Sequence, residues 1–196
     1  MREIGLTGGI GSGKTYVSEV FNALAIPVYN SDINARILMN TDVDLIHQVK
    51  HLLGDNAYGS DQMINRRFVS KVVFKDKSKL SALNAIVHPL VLSHFKAWAE
   101  CQKSPFVIFE AAILYEAGYE RYLDAVITVY APIELRIKRV VLRDNISEEL
   151  VKERINNQIS DEIKLKKADY IIKNEGHALL LPQIMDIYNK LLDFSK

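Results

Sequence analysis

The segment from Gly8 to Thr15, which reads GGIGSGKT, constrains the fold of this chain more than any other feature. The chain contains 9 glycines, and five of them fall between Gly5 and Gly13. Glycine loses the most conformational freedom on folding, so such a cluster indicates a backbone that must turn sharply or approach a ligand closely. The apolar run REIGLT before the segment predicts a strand, and KTYVSEVF after it has the apolar spacing of a helix.

The segment fits the pattern G-x-x-x-x-G-K-[S/T] of a phosphate-binding loop. Glycines let several backbone N–H groups face one anion, and the following helix adds partial positive charge at its N-terminus. Lys14 can reach the β- and γ-phosphates, and Thr15 can ligate Mg²⁺. A structural glycine turn would explain neither side chain, so the loop predicts a nucleoside triphosphate but leaves the acceptor unidentified. The residues predicted to bind the nucleotide are Gly8, Gly9, Ile10, Gly11, Ser12, Gly13, Lys14, Thr15 and Tyr16.

The rest of the chain alternates strand and helix patterns. Runs such as PFVIFEAAIL and DAVITVYA are apolar on both faces, which is typical of a parallel sheet covered by helices. Residues 32–101 interrupt the alternation with an almost entirely helical stretch that is too long for an ordinary crossover. We therefore predict one α/β domain over residues 1–196 with a helical insert at about residues 32–101. Pro89 predicts a kink or break within that insert.

The composition restricts the class of protein. With 48% hydrophobic residues, 25% charged residues and a net charge of +1, the chain is an ordinary globular one, without a field that would attract nucleic acid or an anionic membrane. The single Cys101 cannot form an internal disulfide, which fits a reducing compartment. We expect a cytoplasmic protein without nucleic-acid or membrane partners, and the sequence leaves its oligomeric state open.

Two acidic residues follow predicted strands. Asp32 comes just after the second strand, and the carboxyl ends of parallel strands share one edge of the sheet with the glycine loop. It can orient or deprotonate an acceptor hydroxyl, or it can cap the helix that begins at Ile33, and spacing alone does not separate these roles. Glu110 ends the strand FVIF, where it can lie near Mg²⁺ or act in a cap or salt bridge.

Three arginines share one face of the helix predicted after DAVITVYA, because Arg136, Arg139 and Arg143 are spaced i, i+3 and i+7. They can clamp phosphates, or they can form a solvated face paired with Glu134 and Asp144. The apolar face of the same helix is predicted to pack on the sheet.

Other segments have a structural interpretation. The segment DVDLIHQVKHLLG predicts a helix with Asp42 as its candidate N-cap and Gly54 as its stop. Helices are also predicted over residues 147–168 and from about Ala178 to Phe194. His88 lies in an apolar helical run and is interpreted first as a core histidine. Three lysines near the end of the helix predicted over residues 147–168 are predicted to form a solvated face: Lys164, Lys166 and Lys167.

Two alternative functions remain open on the residues alone. One is a kinase of some other small acceptor, such as a nucleoside monophosphate. The other is a nucleotide-dependent switch without an acceptor, although no Asp-x-x-Gly follows a strand and no Asn-Lys-x-Asp follows the later strands. The glycine pattern also differs from that of protein kinases.

Motifs along nearly the whole chain resemble those of dephospho-coenzyme A kinases. They include IGLTGGIGSGKT, NSDINAR, LNAIVHPLV, RIKRVVLRD and the distinctive tail QISDEIKLKKADYIIKN. The resemblance implies that ATP, with Mg²⁺, phosphorylates the ribose 3′-hydroxyl of dephospho-coenzyme A in the last step of coenzyme A synthesis. It also implies a five-stranded parallel sheet, a helical domain that binds the acceptor and a lid at about residues 136–160.

The resemblance assigns roles to individual residues. Asp32 matches the presumed base, and Arg139 and Arg143 match lid arginines near the phosphates. His88 matches the family's His-Pro pair, which implies a role at the acceptor site or in its supporting helix. The residues expected to be catalytic are Asp32, Lys14, Arg139 and Arg143. The residues expected to bind the acceptor are Asp32, Arg36 and His88.

The sequence also departs from the family pattern. Asn30 stands where many members carry an aspartate, which puts any metal-binding role of that position in doubt. Glu110 stands where aspartate is common, and Arg136 where glutamine is common.

Overall fold

The computed structural model describes residues 1–176 and 178–193. Within these residues, five parallel strands form one sheet in the order β2-β3-β1-β4-β5. The strands are β1 (Arg2–Gly8), β2 (Val28–Asn30), β3 (Phe106–Glu110), β4 (Ala125–Tyr130) and β5 (Tyr170–Lys173). The predicted α/β class with a five-stranded parallel sheet is confirmed.

Strand β1 lies at the centre of the sheet. Its Gly5 pairs with Phe109 on one side and with Val126 on the other. The chain reaches β3 and β2 on one side of β1, and β4 and β5 on the other. The loop after β1 therefore leaves the carboxyl edge where the strand order changes direction, the position at which open α/β sheets bind ligands.

The described residues contain nine α-helices, and the chain divides into two compact units. One unit holds Met1–Asn30 and the described residues from Ala99 onward, and the other is Ser31–Trp98. The helices are α1 (Lys14–Ala23), α2 (Ser31–Thr41), α3 (Val43–Leu53), α4 (Arg66–Val73), α5 (Lys77–Glu100), α6 (Ile133–Asp144), α7 (Glu148–Asn156), α8 (Asp161–Lys167) and α9 (Leu180–Asp193).

Helices α1 and α9 cover one face of the sheet. Phe21 of α1 and Ile187 of α9 belong to the same buried cluster as Ile4 and Ile127 of the central strands. Phe21 also meets Phe106 of β3 edge to face, with ring centroids 6.2 Å apart. Each fully buried side chain of this kind stabilises the fold by about 1.5–3 kcal/mol, so the start of α1 is held firmly at the carboxyl edge of β1.

Helices α6 and α7 have a small core of their own. Ile137 and Val140 of α6 pack with Val151 of α7, and Ile10 of the glycine loop packs against them. The prediction that the apolar face of α6 packs on the sheet is therefore wrong, because a second helix supplies the apolar partner. Ile133, at the start of α6, is exposed instead.

The helix predicted over residues 147–168 is divided into α7 and α8. Each piece begins with its own serine cap. The side chains of Ser147 and Ser160 accept hydrogen bonds from Leu150 N and Ile163 N, both at 3.4 Å. A serine that caps a helix satisfies backbone N–H groups that a continuous helix would bond internally, and the segment between the two pieces is thereby free to contact the glycine loop.

The helices of the helical unit carry buried apolar side chains. These include Leu38, Leu45, Val49, Leu53, Val69, Val73, Val91 and Phe95. As predicted, Asp42 caps α3, accepting from Leu45 N at 2.8 Å, and α3 ends at Gly54. The Tyr58 hydroxyl donates to the Met39 carbonyl at 2.7 Å, and burial raises the pKa of Tyr58 to about 12.

Two predictions about helix ends are resolved in different ways. Helix α5 is continuous from Lys77 to Glu100, so Pro89 does not break it, and the predicted alternative of a kink stays a prediction. A proline costs the helix its own N–H donor, and here that loss falls at a solvent-exposed position. The predicted last helix is present as α9, and its predicted final residue, Phe194, lies outside the described residues. In the described ranges, no helix is both long enough and apolar enough to cross a membrane.

Candidate active site

The glycine loop joins β1 to α1 in a tight turn. Within it, Ser12 N–H donates to the Gly9 carbonyl at 3.0 Å. Gly13, the N-cap of α1, has a left-handed φ of 99°, and a side chain there would also collide with the amide of Asn174. Among the described residues, no side chain caps α1. Its first turn therefore presents backbone N–H groups of the kind that bind an anion.

A cavity of about 310 Å³ lies against this loop. Lys14 stays close to the loop backbone, where its ammonium donates to the Gly8 carbonyl at 3.4 Å. The lining combines loop backbone with three cationic side chains, which suits a chain of phosphates. The lining residues are Gly11, Ser12, Gly13, Lys14, Thr15, Arg139, Val140 and Arg143.

Arg139 is fixed at the cavity by the loop and by Asn174. Its guanidinium donates to the Gly11 carbonyl at 3.4 Å and to Asn174 Oδ1 at 3.0 Å. Asn174 Nδ2 in turn donates to the Ser12 carbonyl at 2.8 Å. Sequence reasoning gave Asn174 no role, although a polar residue that follows an apolar strand at the carboxyl edge was a usable signal.

Arg143 lines the same cavity from a more exposed position. Its guanidinium pairs with Asp144 at 2.7 Å, and its side chain is 61% exposed. The hydrogen bond to Asp144 raises the pKa of Arg143. Arg143 therefore lines the cavity while it pairs with the neighbouring carboxylate, and its role as a phosphate clamp stays a prediction.

Arg136 does not join the other two arginines. Its side chain is 3% exposed and pairs with Asp161 of α8 at 2.7 Å. A side chain at Gly9 would overlap its guanidinium. The prediction of one arginine face is thus wrong for Arg136, which packs directly against the backbone of the glycine loop and outside the lining of the cavity.

Gln158, between α7 and α8, contacts the glycine loop as well. Its Oε1 accepts from Ile10 N at 3.0 Å, and its Nε2 donates to the Ala112 carbonyl at 3.2 Å. The sequence placed Gln158 at the start of the distinctive tail but gave it no role, because neither hydrogen bond leaves a local pattern. The partners lie 148 and 46 residues away along the chain.

Lys164 of α8 is buried, contrary to the prediction of a solvated face. Its side chain is 1% exposed, and its ammonium lies 3.6 Å from Glu116 Oε1. Burial lowers the pKa of Lys164, and the nearby carboxylates of Glu116 and Asp161 oppose this effect. Glu116 also accepts from Ile159 N at 2.9 Å, so this carboxylate holds the segment next to Gln158.

Asn30 and Glu110 meet where β2 and β3 end. They are paired in the strand register, and Asn30 Nδ2 donates to Glu110 Oε2 at 2.6 Å. An aspartate at position 30 would place two carboxylates at this distance, where only one can be ionised. The amide at position 30 is therefore matched to the buried glutamate.

Of the remaining predicted site residues, Tyr16 is exposed in the first turn of α1, outside the lining of the cavity, and the other three belong to the helical unit. Asp32 lies in the first turn of α2, two residues after the last residue of β2. The helix begins at Ser31, so the interpretation of Asp32 as its N-cap is wrong. Arg36 follows one turn later on the same face of α2. His88 of α5 is half-buried, and burial lowers its pKa.

Comparison with known proteins covers nearly the whole chain. The family model "CoaE: Dephospho-CoA kinase" matches residues 2–179. The chain belongs to the dephospho-CoA kinase family. A dephospho-CoA kinase from Bacteroides fragilis is 37% identical over 186 residues, which cover 94% of this chain and 90% of the relative.

Two solved structures resemble the whole chain. TT1252 from Thermus thermophilus aligns with a TM-score of 0.85 and 30% identity, covering 98% of this chain and 97% of the other. A dephospho-CoA kinase from Campylobacter jejuni aligns with a TM-score of 0.70 and 26% identity, covering 99% and 98%. The dephospho-CoA kinase resemblance predicted from the sequence motifs is confirmed by the family match.

Proposed function

We propose that this chain transfers the γ-phosphoryl group of ATP to the 3′-hydroxyl of dephospho-CoA, giving CoA and ADP. The observation that carries the proposal is the cationic cavity over the glycine loop, in a chain that belongs to the dephospho-CoA kinase family. The loop supports ATP as the phosphoryl donor, and membership of the family supports dephospho-CoA as the acceptor.

In this proposal, the phosphates of ATP bind to the glycine loop. The backbone N–H groups of Gly11 and of Gly13 to Thr15 suit the β- and γ-phosphates, and Lys14 and Arg139 lie beside them in the same cavity. These cations balance the charge that spreads over the γ-phosphoryl oxygens during transfer. The orientation of Arg139 is set before ATP binds, since Gly11 and Asn174 already hold its guanidinium.

The residues present fit Mg²⁺. Thr15 places a hydroxyl oxygen, a ligand that Mg²⁺ favours, in the lining of the cavity. In the described part of the chain, no three His, Cys, Asp or Glu side chains group together as a metal cage. Mg²⁺ commonly takes one or two protein ligands and completes its shell with phosphate oxygens and water. When bound, the ion would supply charge neutralisation at the phosphates.

Asp32 is assigned to the acceptor. It follows β2 at the carboxyl edge of the sheet, the edge from which the glycine loop also leaves. In the proposed step, its carboxylate accepts the proton of the 3′-hydroxyl. The hydroxyl oxygen forms a bond to the γ-phosphorus, the bond from that phosphorus to the β–γ bridging oxygen breaks, and ADP leaves. Arg36 and His88, in the same helical unit, are assigned to binding the acceptor.

A panel of acceptors with ATP and Mg²⁺ tests the function. Dephospho-CoA, several nucleoside monophosphates and a control without acceptor are incubated with the enzyme, and ADP and the phosphorylated products are separated by chromatography. The expected result is stoichiometric CoA and ADP from dephospho-CoA, with little ADP otherwise. Preferential phosphorylation of a nucleotide would overturn the choice of acceptor. Rapid ADP formation without any acceptor would favour a nucleotide-dependent switch.

A further inference from the structure

Gln158 joins three segments of the chain that are distant in sequence. It lies between α7 and α8, and its side-chain amide reaches Ile10 in the glycine loop and Ala112 just after β3. The backbone of Gln158 is held in place, because its own N–H donates to the Ile155 carbonyl at 3.0 Å. The next residue, Ile159, donates its N–H to Glu116 at 2.9 Å.

The chemistry of its two partners requires an amide at this position. Ile10 offers a backbone N–H, which needs an acceptor, and Ala112 offers a carbonyl, which needs a donor. A glutamine side chain supplies one of each. An ionised glutamate would keep the acceptor for Ile10 but would set a carboxylate oxygen against the Ala112 carbonyl. An apolar side chain would satisfy neither group.

A second amide holds the other half of the loop. Asn174 Nδ2 donates to the Ser12 carbonyl at 2.8 Å, while Gln158 accepts from Ile10 N at 3.0 Å. Gly11, which lines the cavity, lies between these two attachment points. Ile10 also packs its side chain against the small core of α6 and α7, so both the backbone and the side chain of this residue depend on the segments around Gln158.

We infer that Gln158 is a positioning residue for ATP binding: its amide clamps the first half of the phosphate loop to the segment between α7 and α8. A loop that binds phosphate through backbone N–H groups must hold those groups within a fraction of an ångström of their working positions. Without the clamp, Ile10 and Gly11 sample other conformations, and ATP must order them when it binds. The loss therefore falls mainly on ATP affinity, and little of it falls on the transfer step once ATP is bound.

Gln158→Glu tests the clamp through pH. At pH 8 the glutamate is ionised and opposes the Ala112 carbonyl, so the KM for ATP and its Kd are expected to rise about tenfold, the effect of one lost hydrogen bond. The kcat is expected to change by less than about threefold, because Gln158 is assigned no contact with the transferred group. At pH 6 the glutamate, facing a carbonyl, takes up a proton and can donate again, so its Kd for ATP approaches that of the wild type.

Two further variants separate the clamp from a general effect of charge. Asn157→Asp introduces the same charge on an exposed neighbouring residue, and its Kd for ATP is expected to stay within about twofold of the wild type at both pH values. Gln158→Leu removes both hydrogen bonds and should weaken ATP binding equally at both pH values. Hydrogen exchange at Ile10 should be faster in Gln158→Leu than in the wild type, a readout that needs no activity.

The inference rests on the proposed function, and the outcomes are distinguishable. Binding is measured by equilibrium dialysis with a non-hydrolysable ATP analogue, which requires no acceptor. Wild-type affinity in Gln158→Glu at pH 8, or a defect that is the same at pH 6, would overturn the clamp alone. Unchanged exchange at Ile10 in Gln158→Leu would also overturn it. A wild-type protein that fails to bind the analogue would overturn the proposed function together with the clamp.

Discussion

Glycines with a positive φ occur both in the glycine loop and in the helical unit, but only the one in the loop has crowded surroundings. Gly13 of the loop and Gly54 at the end of α3 both have left-handed φ angles, 99° and 89°. A side chain at Gly13 would strike the amide of Asn174, whereas a Cβ at Gly54 would have nothing within 4 Å. At the loop, glycine is required by both the backbone and its neighbours, and at the helix end it is required by the backbone alone.

The two regions also differ in the origin of their contacts. The loop is held by Arg139, Gln158 and Asn174, which lie more than a hundred residues further along the chain. The contacts found within the helical unit come from closer by, such as Tyr58 to Met39 across 19 residues. A short motif thus specifies the phosphate-binding loop, but residues distant in sequence hold that loop rigid. The helical unit is more local in its folding and carries no comparable motif.

The largest expected effect comes from the loop itself. Lys14→Met removes the ammonium at the cavity, and kcat/KM is expected to fall about 10³-fold, because the charge of the transferring phosphoryl group loses its nearest cation. Lys190→Met, an exposed lysine paired with Asp186 on α9, is the matched control and should remain near wild type. Steady-state kinetics with saturating acceptor gives both values. A Lys14 variant with near-normal kcat/KM would remove this residue from the catalytic set.

The helical unit is expected to contribute through a single carboxylate. Asp32→Asn should lower kcat about 10²-fold by removing the proton acceptor, while the Kd for ATP stays nearly unchanged. Asp44→Asn alters the carboxylate in the first turn of α3 and serves as the control at an equivalent helix position. Turnover of Asp32→Asn at the wild-type rate would show that the base lies elsewhere.

The glycine comparison can be tested on stability directly. Gly54→Ala is expected to lower the free energy of unfolding by about 2 kcal/mol, because the φ of 89° and ψ of 165° at this position form a combination that essentially only glycine adopts. Gly13→Ala is expected to lower it by about 3 kcal/mol, because the overlap with the Asn174 amide adds to the cost of a left-handed alanine. Denaturant unfolding of both variants measures the difference. Equal losses would mean that Asn174 moves away at little cost.

The smallest expected effect is a pH dependence that originates in the helical unit. Burial lowers the pKa of His88 in the folded state, so the unfolded chain binds a proton more tightly. Stability is therefore present above the unfolded pKa of about 6.5 and is lost as the pH falls below it. His88→Gln should flatten the decline in Tm between pH 7.5 and pH 5.5, and the exposed His51→Gln should leave it unchanged. Parallel curves for the wild type and His88→Gln would contradict this source of acid sensitivity.

Much of the fold could be predicted because its signals are local. Apolar runs gave the strands, and the Asp42 cap and Gly54 stop gave α3. The errors arose where a tertiary partner decided the outcome. Lys164 has the same charge as Lys166 and lies on the same helix, yet only contact with Glu116 and its surroundings makes it a buried residue. The predicted break at Pro89 was wrong for a different reason, because the N–H that proline lacks falls at a solvent-exposed position of α5.

By itself, the sequence determined that a phosphate-binding loop follows a central strand, because backbone turns and helix starts are specified by neighbouring residues. It could not separate the three arginines of α6, which are equivalent by spacing. The tertiary structure places Arg139 at the cavity with Asn174 and buries Arg136 against Asp161 beside the loop. The different positions of these two arginines depend on which distant segments contact α6, and the sequence of α6 alone does not specify those contacts.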